Sequence, residues 1–371
     1  MLYFSDALNA CGLTENQKYA DELATKNKAI AMFFAENKIE GTPQPIVASP
    51  LTEGYRTTTK RRANHFRGGF SFGVDEVPRN EPKAHHDIYK YIENLLRTPS
   101  YKPLADALNW AIVRGSYTSQ TIIFNVGELN AAIVRKLKLA AEHIQKGLPT
   151  VAAAHVYVAR ASDYYLEMDQ PTDSLSFKQL FGPKELSIKI GNFYLRYPVT
   201  GFSQINESQV PNMLRIASEM AQLDSKTDFI DLYCGYGLFA LGMGEQARHV
   251  LGAEWTGESI KCAKRSADYL KRNAHFIAGK IDCTFIEKLP KPEHPEVILL
   301  DPPRKGTLAG VIKSVAKRNP IRVIHIFCGT DDIPRSVCEW NAENYHIKRV
   351  QPLDMFPHTQ HLETLVLLER N

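Results

Sequence analysis

The stretch FIDLYCGYGLFAL, residues 229–241, predicts a strand with an acidic residue, a glycine turn and the start of a helix. Gly235 and Gly237 let the backbone come close to a ligand, and the N-terminus of the helix offers unpaired N–H groups. An ordinary tight turn between a strand and a helix has the same pattern. The stretch therefore indicates a binding turn without establishing one.

Further strands follow at regular intervals. HVLGAEW (249–255) places Glu254 at its carboxyl end, and VILLDPP (297–303) and RVIHIFC (322–328) are the next apolar runs. Because these strands alternate with helical segments, they predict a doubly wound, mostly parallel sheet, which YHIKRVQPL and TLVLLER complete. An acidic residue about 20 residues past the turn suits the ribose of a nucleotide cofactor, without distinguishing a nicotinamide from S-adenosylmethionine.

The chain before residue 200 has a different pattern. Strands are predicted at 120–126 and 151–160, helices at 13–38 and 129–144, and a hairpin closed by Gly191 and Asn192 at 185–199. We therefore expect an N-terminal mixed α/β domain at 1–199 and a second domain at 200–371. The helix at 13–38 is compatible with packing on either domain.

The composition is that of an ordinary globular protein. The 371 residues carry a formal net charge of only +4, so any nucleic-acid surface must be a local patch. No secretory signal and no run of ~18 apolar residues is recognisable, so we expect a cytoplasmic protein without a membrane span. The six cysteines include no C-x-x-C pair, and only Cys11 precedes residue 234, so neither a zinc site nor an iron–sulfur cluster is expected.

Two strand ends carry residues suited to chemistry. Asp301 is followed by two prolines, which end the strand and stiffen the loop at the edge where such sheets bind ligands. An Asp-Pro-Pro sequence there is typical of methyltransferases that act on nucleic acid or amide nitrogen, but Arg304 stands where nitrogen methyltransferases usually have an aromatic residue. Cys328 ends the next strand, before a predicted helix start with Pro334. It is either a half-buried structural thiol or a nucleophile.

The last motif, DMFPHTQHLE (354–363), crowds His358, His361 and Glu363 before the final strand. The three side chains could be metal ligands. An acid–base role for Glu363 is better motivated, because methylation of a carbon needs a base as well as a nucleophile.

DLYCGYG, DPPRKG, the strand-end Cys328, DMFPHTQHLE and GFSQINESQVPNML (201–214) together resemble the RNA uracil-5-methyltransferases, which make 5-methyluridine in tRNA or ribosomal RNA. The resemblance covers roughly residues 200–371. It implies a Rossmann-like S-adenosylmethionine methyltransferase domain, preceded by a mixed α/β domain that binds RNA. No protein partner is implied.

The resemblance also implies roles for single residues. Cys328 is the nucleophile that adds to carbon 6 of uracil, and Glu363 is the general base that removes the proton from carbon 5. The target base must leave its stack to reach them. The residues implied to line the S-adenosylmethionine site are Gln204, Tyr233, Gly235, Glu254 and Asp301.

RNA contact is a separate inference from a predicted basic hairpin at 55–76. Cations suit phosphates and aromatic rings suit unstacked bases, and here Phe66 and Phe70 are interleaved with cations. A solvated hairpin face has the same composition. The candidate RNA-binding residues are Arg56, Lys60, Arg61, Arg62 and Arg67.

The chain also departs from the family pattern. Gly329 and Thr330 replace the Asn-Pro that usually follows the nucleophile, and Leu238 stands where an Asn is common. The compact chain resembles the tRNA enzymes, whereas the tail motif resembles the ribosomal RNA members. Two alternatives remain open: a nitrogen methyltransferase with the same cofactor, and a non-catalytic RNA-binding relative.

Overall fold

The structure, a computed structural model, describes residues 1–66, 69–73, 77–160 and 177–370. The chain divides into two compact units. Unit 1 consists of Met1–Thr52, Ile190–Leu195 and Ser208–Asn371, and unit 2 consists of Glu53–Lys189 and Arg196–Glu207. This division differs from the predicted boundary near residue 200, because the first 52 residues belong with the C-terminal sheet.

The chain begins with two helices of unit 1, α1 (Phe4–Ala10) and α2 (Tyr19–Glu36). The helix predicted at 13–38 corresponds to α2, which begins later because the chain is still extended at Lys18. Helix α1 was not predicted; it is followed by Gly12, whose φ of 84° favours glycine. Phe4, Leu8 and Phe33 are buried in the same apolar cluster as the strands of the C-terminal sheet, which explains why these helices belong to unit 1.

Nine strands and three helices lie between Glu53 and Glu207 among the residues that the structure describes. The strands are β1 (Thr58–Arg62), β2 (Asn64–Phe66), β3 (Gly69–Ser71), β4 (Leu108–Gly115), β5 (Gln120–Val126), β6 (Val151–Val158), β7 (Phe177–Phe181), β8 (Glu185–Ile190) and β9 (Phe193–Pro198). The helices are α3 (Lys83–Leu96), α4 (Lys102–Ala107) and α5 (Ala131–Gly147).

Unit 2 is built on a five-stranded sheet of order β1-β4-β5-β6-β7. Only β5 and β6 pair in parallel. The basic segment does not form the single hairpin that was expected: β1 pairs with β4, while β2 and β3 form a short hairpin of their own. Strand β1 pairs with β4 because Ala111 and Val113 of β4 continue an apolar face that packs against α3 and α5.

The remaining elements of unit 1 follow Ser208. The helices are α6 (Val210–Ala221), α7 (Leu238–Met243), α8 (Gly257–Leu270), α9 (Cys283–Lys288), α10 (Val311–Lys317) and α11 (Ile333–Ala342). The strands are β10 (Asp228–Leu232), β11 (His249–Glu254), β12 (Ala274–Ala278), β13 (Glu296–Leu300), β14 (Arg322–Phe327), β15 (Tyr345–Leu353) and β16 (Glu363–Arg370).

These strands form one seven-stranded sheet of order β12-β11-β10-β13-β14-β16-β15. Strands β10 to β14 are parallel, and β16 pairs antiparallel with both β14 and β15. The expected doubly wound sheet with two final strands is thus confirmed. The parallel strands are almost continuously apolar because both faces of the sheet are covered.

The N-terminal segment also follows the edge of this sheet. Pro43 and Val47 form isolated parallel bridges with Val350 and Leu353 of β15. The amide of Val47 donates to the carbonyl of Pro352 over 3.0 Å. Across the described residues, every helix is too short or too polar to cross a membrane.

Candidate active site

The order of the strands places one crevice in unit 1. After β10 the chain moves to β11 on one side, and β13 lies on the other side of β10. Ligands of doubly wound sheets bind outside the carboxyl ends of the strands at this point of reversal. Tyr233 follows β10 there and Asp301 follows β13, with the Asp301 amide donating to the carbonyl of Leu232 over 3.3 Å.

The glycine turn after β10 has left-handed backbone at three positions. Tyr233, Gly235 and Gly237 have φ values of 65°, 54° and 86°. A Cβ atom on Gly237 would lie 3.2 Å from the ring of Phe276, so the ring would have to shift by a few tenths of an ångström to admit a larger residue. A Cβ on Gly235 would meet nothing within 4 Å, so this glycine borders open space.

Glu254 links the end of β11 to this turn. Its two carboxylate oxygens accept hydrogen bonds from the amides of Gly235 (3.1 Å) and Thr256 (3.0 Å). Burial raises its pKa, although these bonds favour the ionised form. The adjacent Trp255 is 42% exposed, and the Lys280 ammonium lies 5.8 Å from its ring centre. We did not single out Trp255 from the sequence; an aromatic residue directly after the acidic strand end is the signal that could have found it.

Two buried polar groups lie at the base of the turn. One oxygen of Asp231 accepts from the amide of Ala240 over 2.9 Å, while the other has no partner among the described residues. Burial, with smaller contributions from Asp301 and Glu254, raises the pKa of Asp231 well above its usual range. The Tyr233 hydroxyl is also buried without a hydrogen-bond partner in the described structure. Open space at Gly235 beside such groups fits a cofactor that carries hydroxyl and amino groups.

The register of the sheet brings Cys328 and Glu363 together. In the antiparallel pair of β14 and β16, Phe327 is opposite Thr364. Cys328 and Glu363 are the next residues beyond this pair, and both Glu363 and Asp301 are close enough to raise the pKa of the Cys328 thiol. Cys328 and Gly329 line a very small cavity of about 10 Å³ with Pro303 and Arg304. The predicted nucleophile and the predicted base are therefore neighbours.

The acidic groups at this edge raise one another's pKa. Burial raises the pKa of Glu363 well above its usual range, and Asp301 adds to the shift. Burial and Glu254 raise the pKa of Asp301 to about 7. Burial, then Glu363, then Asp301 raise the pKa of the Cys328 thiol, against a smaller lowering by Arg304. In the protein without ligands, Cys328 is therefore a thiol at neutral pH.

The loop after Cys328 forms the predicted helix start. Gly329 is extended, residues 330–332 form one 3-10 turn, and α11 begins with Asp332 as N-cap and Pro334 in its first turn. A helix N-terminus favours a thiolate, whereas acidic neighbours oppose it. Here burial and the acidic neighbours prevail, since the net shift of the Cys328 pKa is upward.

The histidines of the last motif do not form a metal site. Nδ1 of His358 lies 2.8 Å from Oε2 of Glu22, a residue of α2. Within the ranges that the structure describes, no three His, Cys, Asp or Glu side chains are grouped so that they could hold a metal ion. The alternative of a metal bound by His358, His361 and Glu363 is therefore not supported.

Gln204 belongs to unit 2, whereas Tyr233, Glu254 and Asp301 belong to unit 1. Its side chain is buried, and its carbonyl accepts a hydrogen bond from the hydroxyl of Thr57 over 3.3 Å. Its assignment to the cofactor site stays a prediction.

The candidate RNA-binding residues of unit 2 have unequal surroundings. Arg61 donates to the buried carboxylate of Glu81 over 2.7 Å and lies 5.5 Å from the ring centre of Tyr89. Arg56 also lowers the pKa of Glu81, whose net shift is upward because of burial. The Lys60 ammonium lies 5.4 Å from the ring centre of Trp110, whereas Arg62 is exposed.

The two aromatic residues of this segment also differ. Phe66 is 57% exposed, whereas Phe70 is only 3% exposed and belongs to the core of unit 2. Only Phe66 can therefore stack on a base without rearrangement. Arg67 lies outside the described residues.

The parallel sheet with its ligand crevice at the β10 and β13 ends defines the class: the chain has the fold of S-adenosylmethionine-dependent methyltransferases. A crystal structure of the Pyrococcus abyssi tRNA (uracil-54, C5)-methyltransferase, in complex with S-adenosyl-L-homocysteine, superposes with a TM-score of 0.73. It shares 18% identity, and the match covers 97% of this chain and 85% of that chain.

Sequence comparison defines the family. The family model described as tRNA (Uracil-5-)-methyltransferase matches residues 166–277 and 292–371, just over half of the chain. The chain belongs to this family, and the resemblance predicted from its motifs is confirmed.

Curated relatives are uncharacterized RNA methyltransferases. One from Clostridium acetobutylicum is 33% identical over 52% of this chain and 42% of its own length. One from Bacteroides thetaiotaomicron is 34% identical over 59% of this chain and 44% of its own length. One from Staphylococcus epidermidis is 28% identical over 78% and 63%. The chain thus spans about half the length of the curated relatives it matches.

Proposed function

We propose that the protein methylates carbon 5 of a uridine in RNA through a covalent bond between Cys328 and carbon 6 of the base. The observation that supports this proposal is the proximity of Cys328 and the buried Glu363 at the ends of the paired strands β14 and β16, where Glu363 and Asp301 both act on the thiol. A thiol and a base side by side are what carbon methylation of uracil requires. A nitrogen methyltransferase has no use for the thiol.

The reaction assigns one bond change to each group. The sulfur of Cys328 adds to carbon 6, and the electron pair of the 5,6 double bond moves toward the carbonyl at carbon 4 as an enolate. Carbon 5 then takes the methyl group that bound S-adenosylmethionine would supply; the bond between that methyl and the sulfonium sulfur would break, and S-adenosylhomocysteine would leave. Glu363 takes the proton from carbon 5, and the bond between sulfur and carbon 6 breaks as the double bond returns.

Because its pKa is raised, Cys328 carries its proton before the reaction begins. The thiol has to lose its proton, and the neighbouring carboxyl groups are the bases that can take it. Asp301, with a pKa of about 7, is ionised in part at neutral pH. Arg304 is the cation whose field favours the thiolate.

Residues of the glycine turn and of the β11 end are proposed to hold S-adenosylmethionine. When bound, this cofactor supplies an electrophilic methyl group. Glu254 would accept hydrogen bonds from ribose hydroxyls, Gly235 would let the backbone approach the ligand, and Trp255 would stack on the purine. Tyr233 and Asp301 line the same crevice. Gln204 is retained as a cofactor residue on the family resemblance alone.

The RNA substrate is proposed from unit 2 and from the family. Arg62 and Lys60 are the candidates for phosphate contact, and Phe66 is the candidate for stacking on an unpaired base. Arg61 is hydrogen-bonded to the Glu81 carboxylate and Arg56 lies near it, so both are weaker candidates for RNA contact. tRNA and ribosomal RNA are both candidate substrates. Either one would place the reaction in the cytoplasm. Mapping 5-methyluridine by mass spectrometry in RNA from a deletion strain decides between them.

The test of the mechanism is Cys328→Ser with Cys338→Ser as the matched control, since Cys338 is an exposed thiol of α11. We expect Cys328→Ser to lose methylation and to form no covalent complex with RNA that contains 5-fluorouridine. The control should behave like the wild type. Turnover retained in Cys328→Ser would refute the covalent mechanism and favour a nitrogen methyltransferase. Absence of turnover in the wild-type protein on all cellular RNA would favour a non-catalytic relative.

A further inference from the structure

The loop between β15 and β16 is held by buried charges that the proposed reaction does not use. Lys26 of α2 and Asp354, the first residue of the loop, are both fully buried, and their charged atoms Nζ and Oδ1 are 3.1 Å apart. Lys26 also lies 2.7 Å from Oε1 of Glu22, which is 3% exposed. Two acidic groups therefore share one ammonium group inside the protein.

The same helix also holds the middle of the loop. The amide of His358 donates to Oε1 of Glu22 over 2.8 Å, and its Nδ1 is 2.8 Å from Oε2 of the same carboxylate. His358 has a φ of 60°, which a histidine adopts only when its surroundings fix it. The Lys26 ammonium donates to the carbonyl of Phe356 over 3.5 Å. Helix α2 thus contacts the loop at residues 354, 356 and 358.

Glu363 is the residue in which this loop ends. It is the first residue of β16 and pairs with Leu353, the last residue of β15. Asp354 is therefore joined directly to the residue opposite Glu363. A shift of the loop changes where the Glu363 carboxyl lies.

Helix α1 makes a corresponding contact with the other loop of the site. The first turn of α1 has no cap from its own chain neighbour, Tyr3. Instead the amide of Phe4 donates to Oδ1 of Asp331 over 2.7 Å. Asp331 lies three residues after Cys328, in the loop where this chain departs from its family.

We propose that the N-terminal helices α1 and α2 position the two reacting groups of the site: Lys26 and Glu22 act on Glu363 through the 354–362 loop, and Phe4 acts on Cys328 through Asp331. This inference rests on the proposed function for the roles of Cys328 and Glu363. Lys26, Glu22 and Asp331 are positioning residues, because none of them needs to touch the substrate. The charges are buried where an uncompensated ion is costly, so removing one partner moves the others.

The first test is Lys26→Met, which keeps the length of the side chain and removes its charge. The matched control is Arg318→Met, which breaks another buried ion pair of unit 1, with Glu296 at the amino end of β13. A displacement on the order of 1 Å in a reacting group can cost about 100-fold in rate. We expect kcat of Lys26→Met to fall about 100-fold and KM for S-adenosylmethionine to stay within about 2-fold. The control should keep both.

Glu363 acts after methyl transfer, so its displacement has a specific signature. Lys26→Met should accumulate a methylated covalent complex with ordinary RNA, because removal of the carbon 5 proton is slowed. Lys26→Arg, which keeps the charge, should restore part of kcat. A general loss of folding would instead reduce the amount of complex.

The second test is Asp331→Ala, with Asn130→Ala as control. Asn130 caps α5 of unit 2 through its side chain, which accepts from the amide of Ile133 over 3.0 Å. Both variants therefore lose one helix cap. We expect Asp331→Ala to slow covalent complex formation with 5-fluorouridine RNA about 10-fold, because Cys328 is displaced, and Asn130→Ala to leave that rate unchanged.

Hydrogen exchange of the 354–362 amides separates this inference from the proposed function. We expect exchange there to rise at least about 10-fold in Lys26→Met and not in Arg318→Met, whether or not uridine is the substrate. Equal exchange and equal kcat in the two variants would overturn the inference. If Lys26→Met does not fold, Glu22→Gln, which keeps an acceptor for the His358 amide, takes its place with the same expected readouts. A wild-type protein that fails to methylate uridine while Lys26→Met raises exchange would refute the proposed function alone.

Discussion

The open space beside Gly235 leads to a test of the cofactor site with a built-in control. Gly235 and Gly191 have nearly the same left-handed φ, 54° and 55°, and a Cβ on either would meet no protein atom within 4 Å. Gly191 closes the hairpin of β8 and β9, whereas Gly235 lies in the turn at the crevice. Alanine at either position therefore imposes the same backbone strain, and only one of them places a methyl group where we propose the cofactor binds.

The strain of a left-handed alanine is about 1 kcal/mol or somewhat more. We expect Gly235→Ala and Gly191→Ala to lower the free energy of unfolding by similar amounts, measured by urea denaturation. The Gly235 amide can still donate to Glu254, because alanine keeps its N–H. A methyl group forced against a bound ligand costs about 1–3 kcal/mol, which corresponds to roughly a 5- to 150-fold weaker Kd.

The assay is calorimetric titration of each variant with S-adenosyl-L-homocysteine. We expect the affinity of Gly191→Ala to equal that of the wild type and the affinity of Gly235→Ala to fall at least about 10-fold. An affinity of Gly235→Ala equal to that of the wild type would refute the assignment of this turn to the cofactor. Equal loss in both would mean that backbone strain, and not the position of the methyl group, controls binding.

Two further predictions concern ionised groups. Because burial raises the pKa of Asp301 from 3.8 to about 7, the folded protein loses stability relative to the unfolded chain as the pH rises between these values. Asp301→Asn should therefore stabilise the ligand-free protein by up to about 4 kcal/mol at pH 8 and not at pH 4 in urea denaturation; equal effects at both pH values would contradict this. In unit 2, Arg61→Ala should cost about 1–3 kcal/mol of stability by leaving Glu81 buried without its partner. Arg62→Ala should instead leave stability unchanged while weakening RNA binding and reducing its salt dependence; the opposite pattern would reverse the two roles.

The C-terminal sheet could be predicted because most of its strands have recognisable local sequence patterns. Strands β11, β13 and β14 are short apolar runs that end at Glu254, before Asp301 and its proline pair, and before Cys328, and β10 leads into the glycine turn. Strand β12 has no such end and was not predicted from the sequence. In unit 2, β5 has the predicted bounds, 120–126, because its pattern is local as well. Local patterns fail where pairing is distant in sequence, as with β1, whose partner is β4.

The candidate site could be predicted in its residues but not in its electrostatics. The motif order selected Cys328 and Glu363, yet the sequence does not show that the two lie close enough for Glu363 to raise the pKa of the thiol. The direction of the Cys328 pKa shift depends on burial, which a cysteine at a predicted helix start does not reveal. Likewise Arg61 and Arg62 are equivalent in sequence, and only the buried Glu81 distinguishes them.

The contacts of the N-terminal helices give a physical reason for the departure from the family pattern after Cys328. Gly329 and Thr330 replace the pattern that usually follows the nucleophile, and the next residue, Asp331, accepts a hydrogen bond from the amide of Phe4. Phe4 is itself buried against Phe33 of α2, with ring centres 5.9 Å apart. The loop that carries Cys328 and the loop that ends in Glu363 are thus both held by the same two helices. If this arrangement is what keeps the altered loop in working geometry, then restoring the family's residues at 329 and 330 should not improve the rate, whereas removing the Asp331 carboxylate should lower it.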